Sequence, residues 1–170
     1  ENVLDAILTD VRGDVLRIHG KGICYWDAEP ITIFLSMPEI EEIEIGGSGV
    51  VITKREISGD ELELEVNGSG QMMLEVLMDE IDAEIDGSGE IDIAGKTRAL
   101  DISINGSGEF YGYNLIARKI DLDVSGSGTC KVYASKYLDI SISGSGNVYY
   151  KGNPNVETSI SGSGRAKKID

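Results

Sequence analysis

Leu-Asp-Ile-Ser-Ile-Asn-Gly-Ser-Gly (residues 100–108), Ile-Asp-Leu-Asp-Val-Ser-Gly-Ser-Gly (120–128) and Leu-Asp-Ile-Ser-Ile-Ser-Gly-Ser-Gly (138–146) are three copies of one unit. In each, apolar and polar residues alternate for five positions before a turn former and the tripeptide. Alternation with period two puts one side chain into a core and the next into water, which is the pattern of a half-buried β-strand and not of a helix.

Outward from these copies, Gly-Ser-Gly recurs seven times, beginning at Gly47, Gly68, Gly87, Gly106, Gly126, Gly144 and Gly162, at spacings of 21, 19, 19, 20, 18 and 18 residues. Of the 21 positions two, four and six before the first glycine, 19 are apolar, and Glu41 and Thr158 are the exceptions. Positions three and five before it are all Asp, Glu or Ser. The residue just ahead (Gly46, Asn67, Asp86, Asn105, Ser125, Ser143 or Ser161) is a turn former, able to take a positive φ or to close an Asx or Ser turn. A second, shorter strand follows each tripeptide, as at Ile91–Ile93, Cys130–Val132 and Val148–Tyr150, and stretches such as Gly95–Arg98 and Gly152–Asn155 read as loops.

A period near 19 is too short for a crossover helix, so successive coils stack strand on strand in parallel. The expected fold is all-β: a right-handed parallel β-helix of seven coils, ~34 Å tall at about 4.8 Å per coil, its hand following crossover chirality. We expect one domain, with 1–40 as an N-terminal β cap and first strands (Val15–Ile18, Ile31–Leu35) and 41–170 as the repeats. The last tripeptide is followed by Arg165, Lys167 and Lys168, charges that blunt an open sheet edge; a second copy covering that end is the alternative, which makes the chain a candidate homo-oligomer.

Composition narrows the function. Acids number 30 and bases 15, a formal net charge of −15, with 41% hydrophobic and 26% charged residues. That balance fits a globular chain and argues against nucleic acid, whose phosphates call for a surplus of Lys and Arg. No apolar run approaches the ~18 residues of a membrane span. The chain opens at Glu1 without an initiator Met or a signal segment, as expected of a mature or trimmed product. Cys24 and Cys130 have no metal-ligand spacing and are too few for a disulfide framework.

The stretch Ile-Thr-Ile-Phe-Leu-Ser-Met-Pro (31–38), the recurring [Ile/Val]-x-Gly-Ser-Gly and the end Gly-Asn-Val-Tyr-Tyr-Lys-Gly-Asn-Pro-Asn-Val (146–156) resemble the putative auto-transporter adhesin, head GIN domain family, known from exported proteins of Bacteroidota. The resemblance covers about residues 28–170. It implies a right-handed β-helix and an exported protein of the cell envelope or surface, in the periplasm or at the outer membrane. It carries over no catalytic residue.

Three constellations could carry function. An acid stands five places before every tripeptide: Glu42, Glu63, Asp82, Asp101, Asp121, Asp139 and Glu157. Stacked in register they form either a solvated face that keeps the sheet from self-pairing or a ladder for Ca2+, with Asp82, Asp101, Asp121 and Asp139 as its ligands. Glu44, Glu65, Glu84 and Asp123 flank this column. Secondly, six of the seven tyrosines lie after residue 110. By the alternation Tyr111 and Tyr149 face outward with Lys131 between them, and Tyr133 stands nearby. Such a surface suits sugar rings or a protein partner, and Ile52 and Met73 would extend it as an apolar strip. Thirdly, the serine ladder reads as turn serines bonding local backbone. It is not nucleophilic, because the only histidine, His19, lies outside the repeats.

The expected function is a non-enzymatic, adhesin-like binding or structural module of the cell surface, taking a glycan or a protein. The alternative is a pectinase-like polysaccharide-degrading enzyme, for which Arg98, Arg118 and Lys136 stand three residues before Asp101, Asp121 and Asp139. Short loops and the net charge weigh against a cleft for a polyanion.

Overall fold

A computed structural model describes residues 7–21 and 31–170. Cys24 and the adjoining part of the expected N-terminal cap lie outside the described residues. The chain divides into two compact units, Glu1–Ser36 and Met37–Asp170.

In the first unit, β1 (Ile7–Arg12) and β2 (Val15–Gly20) form an antiparallel hairpin with Arg12 opposite Val15. Gly13 takes φ +60° in the two-residue turn and Asp14 has no positive φ, the type II′ pattern that matches strand twist. The strand expected at Val15–Ile18 is thus formed, and exposed His19 belongs to it. The one expected at Ile31–Leu35 is not, and its Ile31, Ile33 and Leu35 are exposed. Alternation fixes which side chains share a face, but a neighbouring strand is needed to fix the ladder.

The second unit is a parallel β-solenoid of about seven coils. Its strands are β3 (Glu42–Gly47), β4 (Val50–Ile52), β5 (Ile57–Gly68), β6 (Gln71–Gly87), β7 (Glu90–Gly106), β8 (Glu109–Gly126), β9 (Thr129–Gly144), β10 (Asn147–Lys151), β11 (Asn155–Gly162) and β12 (Arg165–Lys168). They make one sheet in the order β12-β10-β9-β8-β7-β6-β5-β3, with β11 also beside β9 and β4 beside β6. From β6 to β9 nearly a whole coil is one continuous strand of 16 to 18 residues. The short second strands therefore merge with the long ones. Gly95–Arg98, expected as a loop, is strand that bends at Gly95 with φ +129°.

Register is exact to the residue through the tripeptides: Ile45, Val66, Ile85, Ile104, Val124 and Ile142 stand one above the other. A second inner column runs Met72, Ile91, Phe110, Cys130 and Val148, all at 0% exposure. Each such burial is worth roughly 1.5–3 kcal/mol. Thr97 is the one buried polar side chain among the described residues, and its hydroxyl has two carbonyls within reach of its single hydrogen, that of Ala99 at 2.8 Å and that of Asp79 at 3.1 Å. At the far end the packing stops: every residue of β11 is exposed, including Val156 and Ile160.

Both glycines of the tripeptide are required, for different reasons. The first carries the bend, with φ between +120° and +130° in all seven copies. No non-glycine among the described residues has a positive φ, so the turn former ahead of it is not the residue that bends. The second lies flat on the last aliphatic residue of the coil below: a Cβ on Gly108 would stand 2.5 Å from Cγ2 of Ile85, and one on Gly89 would run into Cγ1 of Val66. The serine between them is exposed in every copy. Its N–H donates to the first-glycine carbonyl one coil below, as from Ser107 to Gly87 at 2.8 Å. The ladder's bonds therefore run between coils from the main chain, and not from serine side chains to local backbone as the sequence alone suggests.

Candidate functional site

Two outward faces carry the polar residues, one on each side of the tripeptide corner. On the strand before it, Glu42, Glu63, Asp82, Asp101, Asp121, Asp139 and Glu157 pair in unbroken register. Asp82, Glu84, Asp101, Asp121 and Asp123 line a shallow depression of about 460 Å3, with Lys119 at its side. Burial, then the charges of Asp101, Glu80 and Glu61, raises the pKa of Asp82. Burial followed by Asp139 and Asp101 raises that of Asp121, against the opposing effect of Lys119. Glu84 shifts the same way, from burial and then Asp86, Glu65 and Glu63. Like charges one strand spacing apart repel by about 0.9 kcal/mol in water. Among the described residues no three acidic, His or Cys side chains gather closely enough to hold a metal ion. The column is a line of single carboxylates, one per coil.

Arg98, expected beside Asp101, turns to the coil below: its Nη2 lies 3.8 Å from Glu80 and its Nε 4.0 Å from Asp79. All three side chains are largely exposed, so these pairs contribute little. Neither Arg118–Asp121 nor Lys136–Asp139 forms an ion pair. The three acid–base pairs of the enzymatic alternative are not assembled.

The strand after the corner builds the second face. Tyr111, Lys131, Tyr149 and Lys167 stack on consecutive coils. Two residues along, Tyr133 pairs with Lys151. Tyrosine and lysine therefore alternate along β9 and β10 and also across them, as a chequerboard. Lys131 Nζ lies over the Tyr111 ring at 4.4 Å, and Lys151 Nζ over the Tyr113 ring at 4.8 Å, contacts worth roughly 0.5–1 kcal/mol at exposed sites. The Tyr111 hydroxyl donates to Glu109 Oε2. That bond, then burial and the charges of Glu109, Glu90 and Asp92, pushes the phenol up to about 12. Tyr113 is raised by burial first. Tyr133, Lys151, Asn153, Lys168 and Asp170 border a depression of about 300 Å3, in which Lys168 Nζ donates to Asn153 Oδ1 at 2.6 Å.

The structure thus brings Tyr111, Lys131, Tyr149 and Tyr133 together on one face. Sequence reading missed Tyr113 and Lys151 as their partners. β8 carries a bulge there: Gly112 pairs with Val132 and Ile116 with Tyr133, so Tyr113, Asn114 and Leu115 are extra. The spacing of 20 against 18 announced extra residues without placing them. The apolar extension through Met73 and Ile52 is broken, because Asp92 stands between Met73 and Tyr111. Cys130 is free and fully buried, as its inward position required.

The model of the family described as "Putative auto-transporter adhesin, head GIN domain" matches residues 1–154. Among solved structures, the chain is similar to a putative lipid binding protein from Parabacteroides distasonis ATCC 8503, 28% identical, with a TM-score of 0.82 over 99% of this chain and 80% of that one. It is similar to a putative adhesin from the same organism, 25% identical with a TM-score of 0.76 over 99% and 80%. A putative adhesin from Bacteroides fragilis NCTC 9343, 22% identical with a TM-score of 0.84 over 98% and 78%, shares the fold. No curated protein matches the chain. Among the described residues no helix is long and apolar enough to cross a membrane.

Proposed function

The chain belongs to the family described as putative auto-transporter adhesin, head GIN domain, and on that premise we propose that it is a non-enzymatic, adhesin-like binding module of the cell surface or envelope. Its ligand, a glycan or a protein, docks on the face of Tyr111, Lys131, Tyr133 and Tyr149. The observation that carries this reading is the chequerboard itself: outward, half-buried tyrosines held in a fixed lattice by the coil register. A tyrosine ring presents an apolar surface and a hydroxyl at little entropic cost, which is the chemistry that recognises sugars and protein surfaces.

Two observations support a binding module over the pectinase-like alternative. No charged side chain is fully buried among the described residues, and the carboxylates that burial does raise, Asp82, Glu84 and Asp121, stand at a shallow depression with no base paired to them as a catalytic partner. The expected acid–base pairs are also apart. Self-association is a second reading for the last coil, motivated by exposed Val156 and Ile160. Light scattering that reads a monomer well above micromolar concentration would dismiss it.

The test is a glycan and surface-protein binding screen with three variants. Tyr133→Ser and Tyr149→Ser should abolish the signal, whereas Tyr137→Ser, exposed further along β9 beside Lys119, should not. Equal loss in all three would remove the face from consideration.

A further inference from the structure

We infer that the ligand of this face is an acidic polysaccharide, a chain of sugar rings bearing carboxylates, lying along the last three coils. The inference rests on the reading of the face as a binding surface and names the chemistry of what it binds.

The net charge of −15 hides a segregation. Of the 30 acids, 23 precede residue 101, against 7 of the 15 bases; from residue 101 onward there are 7 acids and 8 bases. Side-chain direction sharpens the contrast. After the tripeptide at Gly126, the outward positions of β9, β10 and β12 on the tyrosine face carry Lys131, Lys151, Arg165 and Lys167 and no acid. Asp170 is the one acid bordering the adjoining depression. The nearest acid on this face is Glu109, one coil from Lys131 in the neighbouring column and already engaged by the Tyr111 hydroxyl; in the main column Asp92 lies two coils from Lys131 and four from Lys167, about 10 and 19 Å at the strand spacing. With a Debye length of about 8 Å at physiological ionic strength, most of the acidic half is screened from this patch. A polyanion repelled by the molecule as a whole is attracted here.

The lattice selects among polyanions. Lysine and tyrosine alternate every coil and every second residue, so a ligand that repeats a ring and a charge meets the same pair of partners several times. A lipid headgroup offers one charge and would leave its chains without an apolar groove, since the outward side chains of β9, β10 and β12 here are Tyr, Lys, Arg, Asn and Thr. Single-stranded nucleic acid is held by successive bases stacking on a run of open aromatic faces; the rings of Tyr111 and Tyr113 are capped by the ammonium groups of Lys131 and Lys151, which leaves only Tyr133 and Tyr149 open. Sugar carboxylates would meet those ammonium groups, while the rings of Tyr133 and Tyr149 take the apolar faces of the sugars.

The experiment is calorimetry of the whole chain with an oligogalacturonate, its neutral counterpart maltohexaose, phosphatidylglycerol vesicles and oligo-dT. Binding of the uronate alone, weakening with added salt and falling about ten-fold or more in K131Q/K151Q/K167Q, is expected for three exposed ion pairs. Lys96→Gln makes the same kind of charge change on the acidic half and should leave the affinity intact. The inference is overturned if maltohexaose binds equally well, if Lys96→Gln is as damaging per charge, or if vesicles or oligo-dT bind and the uronate does not. If neutral sugar binds and only the tyrosine variants abolish it, the surface stands and the acidic ligand falls. If no probe binds and a protein ligand is captured on Tyr133 and Tyr149, the acidic polysaccharide is likewise excluded.

Discussion

Four glycines from two copies of the corner, at the first and fourth tripeptides, separate backbone strain from steric contact. Gly46 takes no positive φ and a Cβ there meets nothing within 4 Å; Gly47 has φ +123° and also opens on empty space. Gly108 has ordinary φ, yet its Cβ would stand 2.5 Å from Ile85 Cγ2. Gly106 has both problems, with φ +122° and a Cβ 2.6 Å from the Gly87 carbonyl oxygen. That oxygen accepts the Ser107 N–H at 2.8 Å, so it cannot swing away without weakening a bond that joins two coils. Substitution by alanine should then stabilise at Gly46 by about 0.4–1 kcal/mol through the unfolded chain. At Gly47 strain alone should cost about 1–3 kcal/mol, and at Gly108 overpacking should cost a similar amount. At Gly106 the strain adds to roughly 1 kcal/mol for the damaged hydrogen bond, giving about 2–4 kcal/mol. Urea unfolding followed by far-UV circular dichroism reads these values; with m of about 2 kcal/mol/M, a loss of 3 kcal/mol lowers the midpoint by about 1.5 M. The order Gly46, Gly47, Gly106 is the critical result. If Gly106→Ala were no more damaging than Gly46→Ala, the account of the corner would be wrong.

Ile104→Asp puts a carboxylate at a fully buried position between Ile85 and Val124 and should unfold the solenoid, whereas Asp121→Asn should be neutral or mildly stabilising; the pair is compared by thermal melting. Asp82, Glu84 and Asp121 have raised folded-state pKa values, so the native state binds protons more readily than the unfolded chain. Their contribution opposes folding at neutral pH and is relieved as pH falls through the carboxylate range, about pH 6 to about pH 4; unfolding midpoints should rise over that window, and less so in a D82N/D121N variant. Millimolar Ca2+ should raise the melting temperature no more than Mg2+ at equal ionic strength, because among the described residues no three carboxylates gather closely enough to hold the ion. A calcium-specific shift, lost in Asp101→Asn/Asp121→Asn, would instead establish Asp82, Asp101, Asp121 and Asp139 as a cation ladder.

The solenoid was legible because its two rules are local. Period two assigns Ile102 and Ile104 inward and Asp101 outward without knowledge of any partner, and equal spacing then stacks Asp82, Asp101 and Asp121. What escaped depends on partners. Ile31–Leu35 keeps an apolar residue at every second position, with Phe34 the one break in its alternation, but forms no strand. The insertion at Tyr113–Leu115 shifts which residues meet, so Lys151 comes to lie over Tyr113, a pair 38 positions apart. Asp92 breaks the apolar strip because register, not composition, decides what stands between Met73 and Tyr111. The positive face was hidden by averaging: a sum of charges over the chain carries no information about which side of a strand they occupy.

The seat of the second glycine on the aliphatic residue below it makes every coil both plug and socket. Gly70 on Ile45, Gly89 on Val66, Gly108 on Ile85, Gly128 on Ile104, Gly146 on Val124 and Gly164 on Ile142 are the same joint made six times over. A coil cut out or duplicated whole, from one tripeptide to the next, would therefore rejoin its neighbours through surfaces they already present, and most of the energetics is between nearest neighbours. Length becomes a setting rather than a fixed property. The acidic and cationic stretches can be moved apart or together in steps of about 4.8 Å without redesigning either, so the corner serves as the graduation of a ruler on which surface chemistry is laid out.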